Sequence, residues 1–170
     1  MDFKSYIRDI KDFPKDGIIF KDITPLLKDA TVLKAATQAL FELVGSAKID
    51  KVVGMESRGF FFAPSLATAL NAGFVPVRKA GKLPAETLSE MYSLEYGEDV
   101  LEIHADSIKK GDRVLIHDDV LATGGTAKAV CKLIERLGEI IIQCNFLIEL
   151  DFLNGSEHLN GYEIKSLLHY

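Results

Sequence analysis

The stretch from Val114 to Thr126, VLIHDDVLATGGT, limits most tightly what this chain can fold into. Val114-Leu115-Ile116 is an apolar run long enough for a buried strand and too short for a buried helix. His117, Asp118 and Asp119 come next, then the apolar step Val120-Leu121, then the small, flexible run Ala122-Thr123-Gly124-Gly125-Thr126. Directly after it, Val130, Leu133, Ile134 and Leu137 recur at helical spacing. The order reads strand, acidic pair, glycine loop, helix.

That order has a chemical meaning. A helix N-terminus offers unpaired backbone N–H groups and a partial positive charge, which suit a phosphate. Gly124-Gly125 lets the backbone approach closely, and Thr123 and Thr126 add hydroxyl donors. Asp118 and Asp119 cannot face the same phosphate without repulsion, so they are expected to face hydrogen-bond donors, and vicinal sugar hydroxyls fit. The stretch therefore reads as a site for a ribose 5-phosphate. An ordinary strand-to-helix turn with a capping Thr and a solvated Asp pair meets the same pattern; the acidic pair and the position before a helix favour binding. Neither GxxxxGK[ST] nor GxGxxG occurs in the chain.

Two further segments resemble the first in layout. Ile49 to Met55 reads as a strand leading through Glu56-Ser57-Arg58-Gly59 into an apolar helix at about 60–72, with Pro64 in or near its first turn. Phe74 to Val77 reads as another strand, followed by Arg78-Lys79-Ala80-Gly81-Lys82-Leu83-Pro84. Three cations around a glycine form a local positive site suited to pyrophosphate, although a surface basic cluster is the commoner origin of such a run. Repeated strand–loop–helix units imply a parallel sheet with ligand sites at the carboxyl ends of its strands. Helices are expected at 2–12, from Phe3, Ile7 and Ile10, and at 31–46, with Leu33, Ala36, Leu40 and Val44 inward. Segment 13–25, broken by Pro14, Asp16-Gly17 and Pro25, reads as a tethered loop. Segment 85–99 has weak periodicity and reads as a mobile excursion. Strands are expected at 101–104, 140–150 and 162–168.

Composition narrows the class. A chain of 170 residues, 48% hydrophobic and 26% charged, is expected to form one domain, burying roughly two thirds of its unfolded surface. Its net charge of −5 argues against non-specific nucleic-acid binding. No long uncharged apolar stretch could span a bilayer, and the N-terminus lacks a signal-peptide core, so a soluble cytoplasmic protein is expected. Cys131 and Cys144, one on an expected helix and one in an expected strand, read as buried reduced thiols. The four histidines show no metal or triad spacing, and His117 reads as a partly buried structural residue.

VLIHDDVLATGGT resembles the phosphoribosyl-pyrophosphate (PRPP) signature of the type I phosphoribosyltransferases. The segments FPKDGIIFKDITP, RKAGKLP and YSLEYG narrow the resemblance to the adenine-using branch of that family, and it extends over nearly the whole chain. It implies an α/β fold with a central, mainly parallel sheet flanked by helices, an N-terminal hood at about 1–28 and a mobile lid at about 79–99, all within a single domain spanning 1–170. The implied reaction is adenine + PRPP to AMP + pyrophosphate, in purine salvage. Asp118 and Asp119 would hold the ribose, and Ala122, Thr123, Gly124, Gly125 and Thr126 the 5′-phosphate. Glu56, Ser57, Arg58, Arg78, Lys79 and Lys82 would meet pyrophosphate, across a cis Glu56–Ser57 peptide. Ile19 and Phe20 would contact the base, with Arg58 at its edge; Glu95 would act near the base nitrogen, and Tyr96 would help close the lid. Mg2+ is implied as cofactor, held mainly by substrate oxygens and water with no dedicated protein ligands. A homodimer is implied, with neither nucleic acid nor membrane as partner. Phosphoribosyltransferases for other bases would keep the PRPP loops and change the hood. A non-catalytic PRPP-sensing regulator would be expected to carry a nucleic-acid-binding extension or basic face.

Overall fold

The apolar runs of this chain become strands that are covered on both faces. In a computed structural model, residues 1–93 and 98–170 are described, Ser93 and Glu98 by backbone alone. Glu95 and Tyr96 lie outside the described residues. The chain forms two compact units, residues 1–39 and 40–170.

In the first unit, a 3₁₀ turn at Phe3–Tyr6 starts where the Asp2 carboxylate accepts a hydrogen bond from the Lys4 amide at 3.0 Å. The helix expected at 2–12 is not formed. Ile7 is extended, and β1 (Arg8–Lys11) pairs antiparallel with β2 (Ile19–Asp22). The pairing is favoured by cross-strand charges, with Arg8 on Asp22 at 2.5 Å and Lys21 on Asp9 at 2.7 Å. These contacts override a three-residue apolar pattern, and β2 lies in the segment expected to be loop. Phe13 and Phe20 meet edge to face with centroids 5.2 Å apart. Asp22 then accepts from the Thr24 amide and hydroxyl, both at 2.9 Å, and α1 (Thr24–Leu27) follows with Pro25 in its first turn. Helix α2 (Ala30–Leu43) buries Val32, Ala36 and Leu40 at fourfold spacing.

The second unit is built on a seven-stranded sheet, counted among the described residues, in the order β5-β6-β4-β3-β7-β8-β9. Strands β3 (Lys51–Met55), β4 (Gly73–Lys79), β7 (Arg113–Leu121), β8 (Ile140–Glu149) and β9 (Ile164–His169) run parallel. Val52, Val53, Leu115, Ile116, Phe146 and Leu147 are fully buried, as strands covered on both faces require. Helix α3 (Ala63–Ala69) follows β3, and α4 (Gly125–Leu137) follows β7 with Val130, Leu133 and Ile134 fully buried. The helix expected to begin near 60 starts later, because a 3₁₀ turn occupies Arg58–Phe61; Pro64 does lie in its first turn. Cys131 and Cys144 are buried free thiols with sulfurs 3.8 Å apart.

Most of the segment expected to be an excursion is strand. Strands β5 (Thr87–Ser93) and β6 (Glu98–His104) form an antiparallel hairpin on the edge of β4, in register from Thr87 opposite His104. Pairing with an existing edge supplies the order that its own periodicity lacks, and Leu88 and Tyr92 pack on the core. No helix among the described residues is long and apolar enough to cross a membrane.

Candidate active site

Parallel strands deliver the loops after β3, β4 and β7 to one sheet edge. A cleft of about 590 Å3 there is lined by Ser57, Arg58, Lys79, Lys82, Asp119 and Thr126, among others. A smaller cavity of about 70 Å3 adjoins it, lined by Thr123, Gly124 and Gly125 and sharing Asp118, Ala122 and Thr126 with the cleft.

Asp118 and Asp119 lie in the last part of β7, just before Val120 and Leu121 end the strand. The Asp118 Oδ1 accepts the Asp119 amide at 2.9 Å, which fixes the first carboxylate against the backbone. Burial pushes the Asp118 carboxyl well above its usual range, and the neighbouring Asp119 charge adds to the shift. Burial raises Asp119 as well, but the Arg58 guanidinium counters it. Arg58 Nε stands 3.1 Å from Asp119 Oδ2, an ion pair without hydrogen-bond geometry, so this buried oxygen has no hydrogen-bond partner among the described residues. An acceptor of that kind is suited to a hydroxyl or to a metal-bound water.

The loop at 122–126 is shaped by close backbone contact. Gly124 caps α4 with φ +82°, and no side chain occupies the cap, leaving the first amides of the helix for a ligand. A Cβ on Gly124 would stand 2.3 Å from the Gly155 carbonyl oxygen, and one on Gly155 would stand 2.1 Å from that of Ala122. Gly155 thus holds the loop from outside it, a role that nothing in its local sequence signals.

The cationic cluster is more ordered than its sequence implies. Arg78 and Lys79 are the last residues of β4 and only Lys82 lies in the following loop. The Glu56–Ser57 peptide is cis, as the resemblance implies. The Glu56 carboxylate lies among the cations: it pairs with Lys82, accepts the Lys79 amide at 3.0 Å and faces Arg78 Nε at 3.4 Å. Burial raises the Glu56 carboxyl, but hydrogen bonds from Lys82 and the Lys79 amide and the nearby Arg78 guanidinium outweigh this and hold it below its usual range. Lys79 Nζ pairs instead with Asp99 at 2.9 Å. Arg78 does not line the cleft; it stands beside it through Glu56. Tyr92 and Asp99 are the residues here that sequence reasoning passed over, although Tyr92 opens the YSLEYG segment.

His117 is fully buried. Its Nδ1 donates to Asn145 Oδ1 at 3.1 Å, because the Asn145 amide nitrogen is already used on the Leu40 carbonyl and on Gln143 Oε1. Gln143 in turn donates to the Leu43 carbonyl at 3.0 Å, so the trio satisfies carbonyls at the end of α2. Burial lowers the His117 pKa to about 4, keeping the ring neutral. Ile19 and Phe20 belong to the first unit, where Ile19 is 50% exposed.

Comparison with known proteins gives a consistent picture. Residues 23–153 match the phosphoribosyl transferase domain family. The chain is 61% identical over all 170 residues to an adenine phosphoribosyltransferase of Christiangramia forsetii, covering 99% of that protein. It is 59% identical to the one from Flavobacterium johnsoniae, with complete coverage of both. A crystal structure of the Thermoanaerobacter pseudethanolicus adenine phosphoribosyltransferase superposes with a TM-score of 0.97 at 53% identity, covering 99% of this chain and 98% of that one. The Saccharomyces cerevisiae enzyme, solved with adenine and an imino-altritol bisphosphate, gives 0.93 at 43% identity, with coverage of 98% and 97%.

Proposed function

The chain belongs to the phosphoribosyltransferase family, in its adenine phosphoribosyltransferase branch, and from that premise we propose how its residues divide the reaction. It converts adenine and PRPP to AMP and pyrophosphate, a step of purine salvage. A ring nitrogen of adenine forms the new bond to C1 of the ribose as the bond to pyrophosphate breaks, so catalysis rests on positioning and on charge stabilisation at the leaving group.

Asp118 and Asp119 take the ribose hydroxyls; the Asp119 Oδ2, ion-paired with Arg58 but accepting no hydrogen bond among the described residues, supports this. Ala122 to Thr126 take the 5′-phosphate, supported by the uncapped helix start and the small cavity beside it. Lys79, Lys82, Ser57 and Arg58 take pyrophosphate from the cleft, while Glu56, itself beside Arg78, holds Lys82 in place. Base contact is assigned to Ile19 and Phe20, with Arg58 at the base edge, on the matching hood sequence and the exposed apolar face of Ile19. Glu95 and Tyr96, as proton-handling and closing residues, rest on the YSLEYG match alone. Mg2+ fits the donor set: Asp118 and Asp119 would hold its waters, and when bound it neutralises charge on the leaving group. A homodimer completes the proposal, supported by exposed Phe61 and by exposed Phe74, which meets Phe60 edge to face; a cytoplasmic location rests on the family resemblance alone.

The observation that carries this reading is the meeting of three chemically different strand-end loops at one cleft. Its test separates the two phosphate sites. Thr126→Val should weaken PRPP and AMP alike, by about tenfold, since both carry the 5′-phosphate. Lys82→Ala should weaken PRPP and pyrophosphate by about tenfold and leave AMP unchanged. The reverse pattern would contradict the assignment.

A further inference from the structure

Asp99 has no part in the assignment above, yet it is bonded to one of the cations that assignment depends on. Strand β6 lies between β4 and β5, and its register sets Asp99 directly opposite Tyr92 and Leu101 opposite Lys79. Asp99 and Leu101 are two residues apart and share a face, so Lys79 is the diagonal neighbour of Asp99. One carboxylate oxygen, Oδ2, therefore stands 2.9 Å from Lys79 Nζ and 3.5 Å from the Tyr92 hydroxyl. The other, Oδ1, accepts the Val100 amide at 2.9 Å and ties the carboxylate to its strand. On its far side, the Tyr92 phenol has the Thr126 hydroxyl of the glycine loop beside it.

Lys79 and Tyr92 line the cleft. The lysine side chain is 55% exposed on a flexible stem, whereas Asp99 is 23% exposed and anchored. A polyanion entering the cleft must compete with Asp99 for Lys79, and the lysine is the partner free to swing. Each charge favours the other: Asp99 raises the Lys79 ammonium pKa, and Lys79 holds the Asp99 carboxyl down, so both are ionised at neutral pH.

We propose that Asp99 is the resident counter-ion of Lys79, holding the lysine until pyrophosphate arrives and recapturing it as pyrophosphate leaves, with Tyr92 carrying the contact to the 5′-phosphate loop at Thr126. Asp99 is thus a positioning residue that trades affinity for release, and the proposal rests on the assignment of Lys79 to pyrophosphate. Removing its charge tightens every ligand that carries the pyrophosphate group.

The experiment compares Asp99→Asn, Asp99→Glu, Lys79→Ala and the Asp99→Asn/Lys79→Ala double variant in steady-state kinetics, with pyrophosphate as product inhibitor. In Asp99→Asn, the inhibition constant for pyrophosphate and the KM for PRPP should fall about two- to fivefold, the range of a partly exposed ion pair. The KM for adenine should not change, kcat should not rise, Asp99→Glu should behave as wild type, and the gain should shrink as salt screens it. Lys79→Ala should weaken pyrophosphate and abolish the effect of Asp99→Asn in the double variant. Unchanged or weaker pyrophosphate inhibition in Asp99→Asn, with Lys79→Ala still weakening it, would overturn the counter-ion role alone. Pyrophosphate inhibition unaffected by Lys79→Ala would overturn the assignment of Lys79 and the counter-ion role with it.

Discussion

Arg58 Nε stands 3.1 Å from Asp119 Oδ2, so the turn after β3 supplies the counter-charge for an acid near the end of β7. Burial raises the Asp119 carboxyl and Arg58 pulls it back. Replacing the guanidinium in Arg58→Gln removes that opposing charge, and the Asp119 pKa moves further up. The acidic limb of kcat/KM against pH should shift to higher pH, with a loss at neutral pH of about 100-fold. A superimposable pH profile would show that the pair has no electrostatic role in turnover.

The neighbouring acids cost the protein stability. Both carboxyls have folded-state values raised by burial, so their favourable contribution is complete below the unfolded pKa and is lost as pH rises through the folded one. Asp118→Asn with Asp119→Asn should therefore raise the thermal midpoint at pH 7 by a few degrees, a gain that closes as the pH falls below about 4. Turnover should fall at least about 1,000-fold. Calorimetry across pH, paired with AMP formation, checks both halves; near-normal turnover would remove the ribose assignment.

Gly124 leaves no room for a side chain. Gly124→Ala combines φ +82° with a Cβ 2.3 Å from the Gly155 carbonyl oxygen, so either the loop or the 155–159 turn must shift. The expected cost is about 1–3 kcal/mol of stability and a KM for PRPP raised at least about tenfold. Urea unfolding and initial rates give the two numbers.

His117 sets an acid limit on the fold. Its folded pKa is about 4, below the ordinary histidine value of 6.5, so stability is full above pH 6.5 and is lost as the pH falls toward 4. The loss amounts to roughly 3 kcal/mol. His117→Gln, which can still donate to Asn145, should flatten the unfolding free energy across that window. An unchanged slope would place the acid sensitivity elsewhere.

The parallel strands and the glycine loop were legible because buried strands and a phosphate-binding helix start each leave a local pattern. Val114-Leu115-Ile116 and Gly124-Gly125 state their roles within a dozen residues. What a local pattern does not show depends on partners distant in sequence. Phe3, Ile7 and Ile10 keep helical spacing, yet β1 is fixed by its pairing with β2 and by Arg8 on Asp22. The β5–β6 hairpin gains its order from the edge of β4. Three cations could be read from Arg78, Lys79 and Lys82, but not their division between Glu56 and Asp99, because that follows from register across three strands. His117 reads as partly buried in the sequence and is wholly so in the fold, since Asn145 and Gln143 on the adjacent strand complete its surroundings.

The most direct measurement of the central claim is pyrophosphate release from PRPP and Mg2+ with adenine, hypoxanthine, guanine, xanthine and orotate offered separately. Rapid turnover with adenine, and with none of the others at a comparable rate, is the predicted result. Faster turnover with another base, or PRPP binding with no turnover on any base, would contradict the account.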